Sequence, residues 1–524
     1  MTKYLIGRIL RALLSVIIVV GVIMVMVYSF LDKQSIFATD PTFTKMKLNS
    51  REEYMMKQWE KFGYLDYIPY ADWLKEELQA GNITQDTYNA AVKLGKNASA
   101  DSSETVLYTQ KFAEKYEAEG YKVVRLPGQT MPNSKKYKEG GQPMLYVYKD
   151  IPVLNRLWSY FTGLFKIDNI NNAESVEGER GLTFTLYDPA YGGEKFSPAI
   201  MGNGTTHKYL LYFDDKFPYV HQNLLSINLG ASYSVNQGID VFDTMTQTQG
   251  ALEYSSVTYP SGVVETTADD LHTATYIAGS REQSALNQRY YVDDYTSVVT
   301  AKDGMSKMGY SFVIGIISVI LAYLVAVPLG ISMALKKDKF IDKLGTFYIV
   351  FIMAVPSLGY IFIFRAIGNA AGLPSTFNMN EPTWMMYILP IISLALPSIA
   401  NLMKWLRRYM IDQMNSDYVK FARSGGLSEG EIFSKHILKN AIIPIVHGIP
   451  GSVLGAMTGA IITERVYVVP GVGNVLTTAI NAYDNGVIVG VTLFYALLSV
   501  ISIILGDVLM SVIDPRISFT SKAR

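Results

Sequence analysis

The chain has no cysteine among its 524 residues, which excludes disulfide bonds, thiolate metal sites and cysteine nucleophiles. Its net charge is +0, which argues against nucleic acid as a partner, since phosphate binding needs a clustered basic surface. No phosphate-cradling P-loop occurs, because the fragments Gly192–Lys195 and Gly95–Asn97 lack its Ser or Thr, and ATP hydrolysis by this chain is therefore not predicted. Histidine is scarce and shows no metal-ligand spacing, so no metal site is predicted; the five are His207, His221, His272, His436 and His447.

What the sequence does have is long apolar runs, separated by a polar region. A membrane span needs about 20 mostly apolar residues. The first run is too long for a cleaved signal peptide and has no small-residue cleavage site, so it is interpreted as a retained anchor. Six spans are predicted: Ala12–Phe30, Met308–Leu335, Leu344–Phe364, Met385–Leu402, Ala441–Thr463 and Val487–Ile513.

Lysine and arginine are distributed unevenly between the short loops, and this asymmetry sets the orientation. Basic residues are concentrated at both termini and in the loops after the second and fourth runs, whereas the alternate short loops carry only Arg365 and Arg465. We therefore expect a multi-pass protein of the cell membrane with both termini in the cytoplasm. The predicted divisions are a first span within 1–31, an outer domain over 32–306, a transmembrane domain over 307–513 and a cytoplasmic tail over 514–524.

The outer region is long enough to form a folded domain. Helices are predicted after Thr84 and from Ser103 to Glu119, where Gly95 and Gly120 end them. An α+β domain is expected, either as a docking surface for a partner or as a cap on the transporter. Its predicted strands are Tyr121–Leu126, Met144–Tyr148, Leu182–Leu186 and Tyr209–Phe213.

Small residues and prolines mark several of the spans. The glycines at 451, 455 and 459 form a ridge that lets another helix approach closely, either in this chain or in a partner. The prolines bend membrane helices, as packing kinks or as transport hinges; they are Pro328, Pro356, Pro390, Pro397, Pro444 and Pro450.

The cytoplasmic loop over 405–440 carries the most informative pattern. Ser416 or Asp417 caps a predicted short helix that Gly425 and Gly426 end, and Ser428 with Glu431 forms a capping box that opens a second helix. On the first helix three residues share a face by their spacing, which favours a partner groove or, alternatively, the bilayer surface. These residues are Tyr418, Phe421 and Ala422.

This loop resembles the EAA loop of ABC importer permeases. More narrowly, the run Ala422–Ser428, followed by His436, Leu438 and Asn440–Ala441, resembles the peptide-permease branch of OppB type. Lys420 and Phe421 replace the Glu and first Ala of the general pattern, and His436 and Lys439 replace its Ile and Pro. These departures are usual for the peptide branch.

Other segments resemble the same family. The run Asn228–Tyr233 is similar to its G-D-L-G-x-S-Y segment, Glu464–Gly473 to its loop after span five, and Ile513–Arg516 to its I-D-P-R end; Tyr4–Ala12 is similar to its basic start. The remaining outer residues resemble the large insertion of Gram-positive permeases of the streptococcal Ami type.

The resemblance implies the type I ABC importer permease fold and a non-catalytic subunit for oligopeptide transport. It implies a second homologous permease, two ATPase subunits that bind ATP and magnesium, and an extracellular peptide-binding lipoprotein. Dipeptide, nickel or glycopeptide cargo are alternatives, and a secondary transporter or membrane-anchored sensor are alternatives of another class. The residues assigned to ATPase coupling are Tyr418, Phe421, Ala422, Arg423, Ser424, Gly425, Gly426, Ser428 and Glu431.

Overall fold

The computed structural model describes residues 2–173, 176, 178–188, 194, 196–213, 220–234, 237–246, 255–258, 264–267, 269–276, 296–300, 305–378 and 383–513. Its first helix, α1 (Thr2–Phe30), contains the first predicted span and continues toward the N-terminus. Val16, Val20 and Met24 on α1 are buried, whereas most of its other large apolar residues are exposed. One face of α1 therefore packs on protein, and the rest is free to meet lipid. The predicted tail 514–524 lies outside the described residues.

The first part of the outer region is an antiparallel sheet with helices around it. The sheet has the strand order β1-β3-β2, so the last strand in sequence is central. Ser102 caps the longest of these helices through its side chain, and Ser103, which the sequence predicts as the cap, is instead the first residue of the helix. The elements are α2 (Pro41–Lys45), α3 (Leu48–Lys61), β1 (Leu65–Pro69), α4 (Tyr70–Gln79), α5 (Gln85–Ala91), α6 (Ser103–Ala118), β2 (Lys122–Leu126) and β3 (Met144–Asp150), with 3-10 turns at Ser35–Phe37 and Ala98–Ala100.

Aromatic side chains fill the core of this part. Tyr70, Trp73 and Phe112 are buried and in ring contact with one another on one side of the sheet. Phe37 and Trp59 pack together on the other side. Burial of such rings contributes most of the apolar area available to a small domain. The predicted helices and strands of this part are confirmed by the structure.

The second part of the outer region is made of short strands. Strands β5 to β8 form a four-stranded antiparallel sheet in sequence order, and β4 pairs with β9 in a separate ribbon. The bounds are α7 (Val153–Thr162), β4 (Phe165–Ile167), β5 (Gly181–Thr185), β6 (Ala199–Asn203), β7 (Tyr209–Phe213), β8 (Val220–Gln222), β9 (Leu225–Ile227), α8 (Val241–Thr246), β10 (Ser255–Thr258), β11 (Val264–Thr267), β12 (Asp269–Tyr276) and β13 (Thr296–Thr300). The strands predicted at Leu182–Leu186 and Tyr209–Phe213 correspond to β5 and β7.

The elements described from residue 307 onward are helices. They are α9 (Lys307–Leu335), α10 (Phe340–Ala354), α11 (Ser357–Ala370), α12 (Ile388–Met414), α13 (Asp417–Ser424), α14 (Glu429–Glu431), a π-helical stretch (Ile432–Leu438), α15 (Lys439–His447), α16 (Ile449–Tyr467), α17 (Val472–Asn481) and α18 (Asn485–Ile513), with a 3-10 turn at Trp384–Tyr387.

Two predicted spans are broken in this region. The third is not one continuous helix over Leu344–Phe364, because α10 and α11 meet at a bend of 112°. Pro356 explains the break: it restricts Val355 to extended backbone, and the helix ends there. The fifth run bends by 40° between α15 and α16. The described residues thus hold four helices long and apolar enough to span a membrane, or up to six if each bent pair is one span.

The helices pack around two buried clusters, one centred on α9 and α12 and the other on α1 and α18. α9 and α12 form the main contact, and α16 packs on both. α1 packs along α18, so the first and last long helices are neighbours. Short α8 contacts α9 and α18, so residues 241–246 of the region between α1 and α9 lie directly on the helical core.

Candidate functional site

The predicted coupling helix is α13, and its ends are set as the sequence indicates. The helix begins after Ser416 and ends at Gly425. Ser416 adopts the extended N-cap backbone, but its hydroxyl donates to the Gln413 carbonyl instead of capping through its side chain. Val419 is fully buried in the same core as Ile432 and Ile437 of the π-helical stretch. One apolar side chain therefore anchors this two-turn helix on the segment that follows it.

Tyr418 fixes α13 from a second direction. Its hydroxyl donates to the Gln413 side chain and approaches the His436 carbonyl at 3.2 Å. The Asn440 amide donates to the same hydroxyl at 3.1 Å. Tyr418 is thus a brace between α13 and the start of α15, with part of its ring exposed.

Phe421 is the side chain of the predicted apolar face that stays open. It is 81% exposed, whereas Ala422 packs against the core. The three residues predicted to share a face thus have different surroundings. Tyr418 is hydrogen-bonded to the following segment, Phe421 is exposed, and Ala422 is packed against the core. A free phenyl ring on a short, doubly anchored helix is suited to insertion into a groove of another protein.

One ion pair, between Arg423 and Glu429, spans the turn after α13. Arg423 donates two hydrogen bonds to Glu429, from Nε at 2.6 Å and from Nη2 at 3.0 Å. Hydrogen bonding to Arg423 holds the pKa of Glu429 below its usual range. The Ser424 hydroxyl donates a hydrogen bond to the Phe421 carbonyl at 2.9 Å, within α13. Because the two charges lie on opposite sides of the glycine turn, the pair constrains the turn.

The capping box at Ser428 and Glu431 is confirmed in both directions. The hydrogen bond from the Ser428 hydroxyl to Glu431 lowers the pKa of that carboxyl. The helix that it opens changes to π-helical geometry over Ile432–Leu438, which then runs directly into α15. The loop and α15 are therefore one connected backbone, with a wider helical turn between them.

Gly426 carries the turn itself, with φ +81°. We predict that Gly426→Pro weakens coupling severely while the chain still inserts. Proline fixes φ near −65° and removes the amide that now donates to the Arg423 carbonyl at 3.1 Å. The measurement is transport and ATPase copurification in membranes with matched levels of the chain.

The matched control for this prediction is a pair of alanine variants. Gly426 and Gly430 both have open space where a Cβ would stand, but only Gly426 has a positive φ. Gly426→Ala should therefore cost about 1 kcal/mol of backbone strain, and Gly430→Ala should not. Equal transport in Gly426→Pro and wild type would refute the role of the turn.

The described glycines of the ridge on α16 have few neighbouring atoms in this chain. A Cβ at Gly455 would meet nothing within 4 Å, and one at Gly451 would only touch the Ser502 hydroxyl at 4.0 Å. Gly459 lies on the same helix, and its surroundings are outside the described side chains. Within the described part of this chain, the middle of the ridge therefore meets no neighbouring helix.

The end of the helical core that meets the segment over 231–234 contains a polar clasp, centred on Asp484, that the sequence did not reveal. Asp484, just before α18, is fully buried. It accepts hydrogen bonds from the Ser232 hydroxyl at 2.5 Å, the Tyr233 amide at 2.8 Å and the Ser234 amide at 3.1 Å. It also accepts from the Val487 amide at 3.2 Å, so one carboxylate joins the outer region to the start of the last span.

Close backbone approach supports this clasp. A Cβ at Gly486 would lie 1.9 Å from the Ala231 carbonyl oxygen, so the outer segment can rest on α18 only where there is no side chain. The segment over 228–233 was identified by resemblance, but Asp484 was not, since it lies some 250 residues away and has no local pattern. Asp484 can be identified only from the three-dimensional structure, in which the two segments are in contact.

A second buried carboxylate organises the loop after α16. Glu464 accepts from the Ser311 hydroxyl of α9 at 2.6 Å and from the Asn474 amide at 3.1 Å. The same Ser311 hydroxyl accepts from the Val472 amide at 2.9 Å. The loop that resembled the family's segment after span five is thereby fixed to α9 and opens α17. Among the described residues there is no group of three or more His, Cys, Asp or Glu that could hold a metal ion.

Comparison with known proteins shows similarity to membrane components of transport systems. A family model described as "Binding-protein-dependent transport system inner membrane component" matches residues 326–519. An oligopeptide transport system permease protein, AmiC of Streptococcus pneumoniae, is 35% identical over all of this chain and 99% of its own length. A dipeptide transport system permease protein, DppB of Lactococcus lactis, is 30% identical over 40% of this chain and 69% of its own. Among solved structures, a chain of an amino acid ABC transporter covers 40% of this chain, with 92% of its own length, TM-score 0.32 and 17% identity.

Proposed function

The chain belongs to the family of binding-protein-dependent transport system inner membrane components, and from this premise we propose that it is the permease subunit of an ABC importer for oligopeptides. The assignment of oligopeptides as the cargo is supported by how much of the chain is similar to each relative. The oligopeptide relative matches across the full chain, including the outer region, whereas the dipeptide relative matches about two fifths of it. The resemblance read from the loop and its flanking motifs is confirmed by these relatives.

The partners follow from the family and from what this chain lacks. Permease subunits of this family are typically non-catalytic, and the sequence has no P-loop. We propose that two separate ATPase subunits bind ATP and magnesium, and that a second, homologous permease completes the translocation path. The open glycine ridge at Gly451, Gly455 and Gly459 is assigned to contact with that second permease. An extracellular lipoprotein would deliver the peptide.

The proposed coupling mechanism uses the geometry of α13. Phe421 inserts into a groove of the ATPase, while Val419 and Tyr418 hold α13 on the segment that leads into α15. Closure of the ATPases would push on α13 and move the lower part of the bent fifth span. Alternating access between the two permeases would follow from that displacement.

The proposed topology has six spans, with both bent helix pairs counted as one span each. Both termini and the loop over 405–440 are assigned to the cytoplasm, and residues 32–306 to the outside, in agreement with the Lys and Arg asymmetry. The outer domain is thereby anchored at both ends, by α1 and by α9, directly over the helical core.

The absence of native cysteine makes this topology simple to test. We predict that a cysteine at Ser428 reacts with an impermeant maleimide only after the membrane is opened. A cysteine at Asn82, in the outer domain, should react in intact cells and serves as the control. Labelling of position 428 in intact cells would overturn the orientation.

The function itself is tested by uptake. Deleting the gene should abolish uptake of a labelled oligopeptide, and the gene supplied in trans should restore it. Labelled dipeptide and nickel uptake, measured in the same strains, distinguish the alternative cargoes. Loss of dipeptide or nickel uptake with unchanged oligopeptide uptake would contradict the assignment.

A further inference from the structure

Helix α7 lies against the outer half of α1 instead of inside the outer domain. A Cβ at Gly21 of α1 would lie 3.5 Å from the Leu157 Cδ2 atom. The Arg156 guanidinium lies over the Tyr28 ring, 3.7 Å from its centroid, and over the Tyr64 ring at 3.8 Å. α7 therefore crosses α1 between Gly21 and Tyr28.

That position is below the outer end of α1. At about 1.5 Å per residue, Gly21 lies roughly 14 Å and Tyr28 roughly 3 Å from the level of Phe30. The middle of α7 is therefore about 8 Å inside the apolar segment, and helices that lie in a membrane interface are buried to about 5–10 Å.

The side chains of α7 divide into three groups around its axis. Leu157, Tyr160 and Phe161 pack on the core shared by α1 and α18. Leu154 and Trp158, one turn apart, are 74% and 73% exposed. At about 100° per residue they lie directly beside the packed face, whereas the polar group of Asn155, Ser159 and Thr162 lies on the far side. The apolar arc of α7 is thus wider than the surface it packs on.

The ribbon after α7 continues this exposed apolar surface. Phe165 pairs with Ile227 and Ile167 with Leu225, so these four side chains share one face, and all four are exposed. Lys166 and Ser226 pair on the opposite face. A ribbon with one apolar and one polar face suits the boundary between lipid and water.

We propose that α7 and the β4–β9 ribbon form an interfacial element seated in the outer leaflet of the bilayer. Lipid is the occupant because the exposed arc of α7 is continuous with the exposed apolar side of α1, where Val22, Val25 and Met26 face outward. The exposed Trp158 has a side chain that membrane interfaces favour. The element would fix the height of the outer domain above the pore. This inference rests on the proposed topology, which labelling at position 428 tests separately.

The test uses single cysteines that carry a nitroxide spin label, in the complete transporter in lipid nanodiscs. Labels at Leu154 and Trp158 are compared with labels at Asn155 and Ser159 on the same helix. We expect the ratio of collisions with oxygen to collisions with a neutral nickel chelate to be at least tenfold higher at 154 and 158. Oxygen concentrates in the apolar interior of the bilayer, and the chelate stays in water.

A label at Leu157 provides the control for folding, since it should be shielded from both reagents. Chelate access at 154 and 158 equal to that at 159 would mean that the surface faces water and would overturn the proposal. Exclusion of both reagents at 154 and 158 would mean that a protein subunit covers it and would overturn the proposal equally. Access at 157 would show that α7 does not rest on α1 and would remove the basis of the depth argument.

Discussion

Replacing Phe421 with aspartate is expected to abolish transport while leaving the chain inserted and folded. The ring is the exposed apolar group of α13, so the free chain loses little when the ring is removed. In the assembled transporter the same position would be buried in the ATPase, and an unpaired buried carboxylate costs several kcal/mol. About 3 kcal/mol corresponds to roughly a hundredfold weaker association. Transport and copurification of the ATPases are the measurements.

Two further variants separate the contact from the fold of α13. Lys420→Ala changes the neighbouring exposed residue, which pairs with Asp417 of its own helix, and should leave transport unchanged. Ala422→Asp places a charge against the core, so it should disturb the seating of α13 as well as coupling. Wild-type copurification of the ATPases with Phe421→Asp would show that the ring is not at the interface.

Local signals in the sequence were sufficient to place the ends of α13 and the capping box after it. Helix ends depend on residues within a few positions, and the capping box and the glycine turn each act over that distance. The predicted ends of α13 and the reciprocal bonds of Ser428 and Glu431 therefore agree with the structure. Hydropathy located the long helices for the same reason, since it sums over one continuous segment.

Two features of the helical region could not be predicted from such signals. Proline at 356 indicated a bend, but the same residue type at 328 and 397 lies inside unbroken helices. Whether a helix breaks depends on which neighbours satisfy the freed carbonyls, and that is tertiary information. The π-helical stretch likewise has no local marker, and its Ile432 and Ile437 are buried in the same core as Val419.

The spacing of residues along a helix also did not predict which side chains would be buried. Tyr418, Phe421 and Ala422 share a face by periodicity, yet the structure gives each a different partner. A helical wheel gives direction around one axis, whereas burial depends on what the fold places in that direction. The same limit explains why the sequence identified the segment over 228–233 and not the carboxylate that binds it.

Replacing Asp484 with alanine is expected to detach the outer region from the last span. The carboxylate accepts bonds from Ser232, Tyr233 and Ser234, and these donors would lose their acceptor in a buried site. Each buried donor left unsatisfied costs about 1–3 kcal/mol. We expect faster hydrogen exchange over residues 229–246, and at least a tenfold loss of transport at matched levels of the chain.

The size of the effect should depend on how much of the acceptor remains. Asp484→Asn keeps one carbonyl oxygen of the same shape, so it should retain part of the protection that alanine loses. Asp243→Ala removes an exposed carboxylate from α8 and should change neither exchange nor transport. Because Val487 also loses its acceptor, the start of α18 should exchange faster in the alanine variant. Unchanged exchange at both segments would mean that packing of Leu229 and Val241 against α18 holds the junction without the carboxylate.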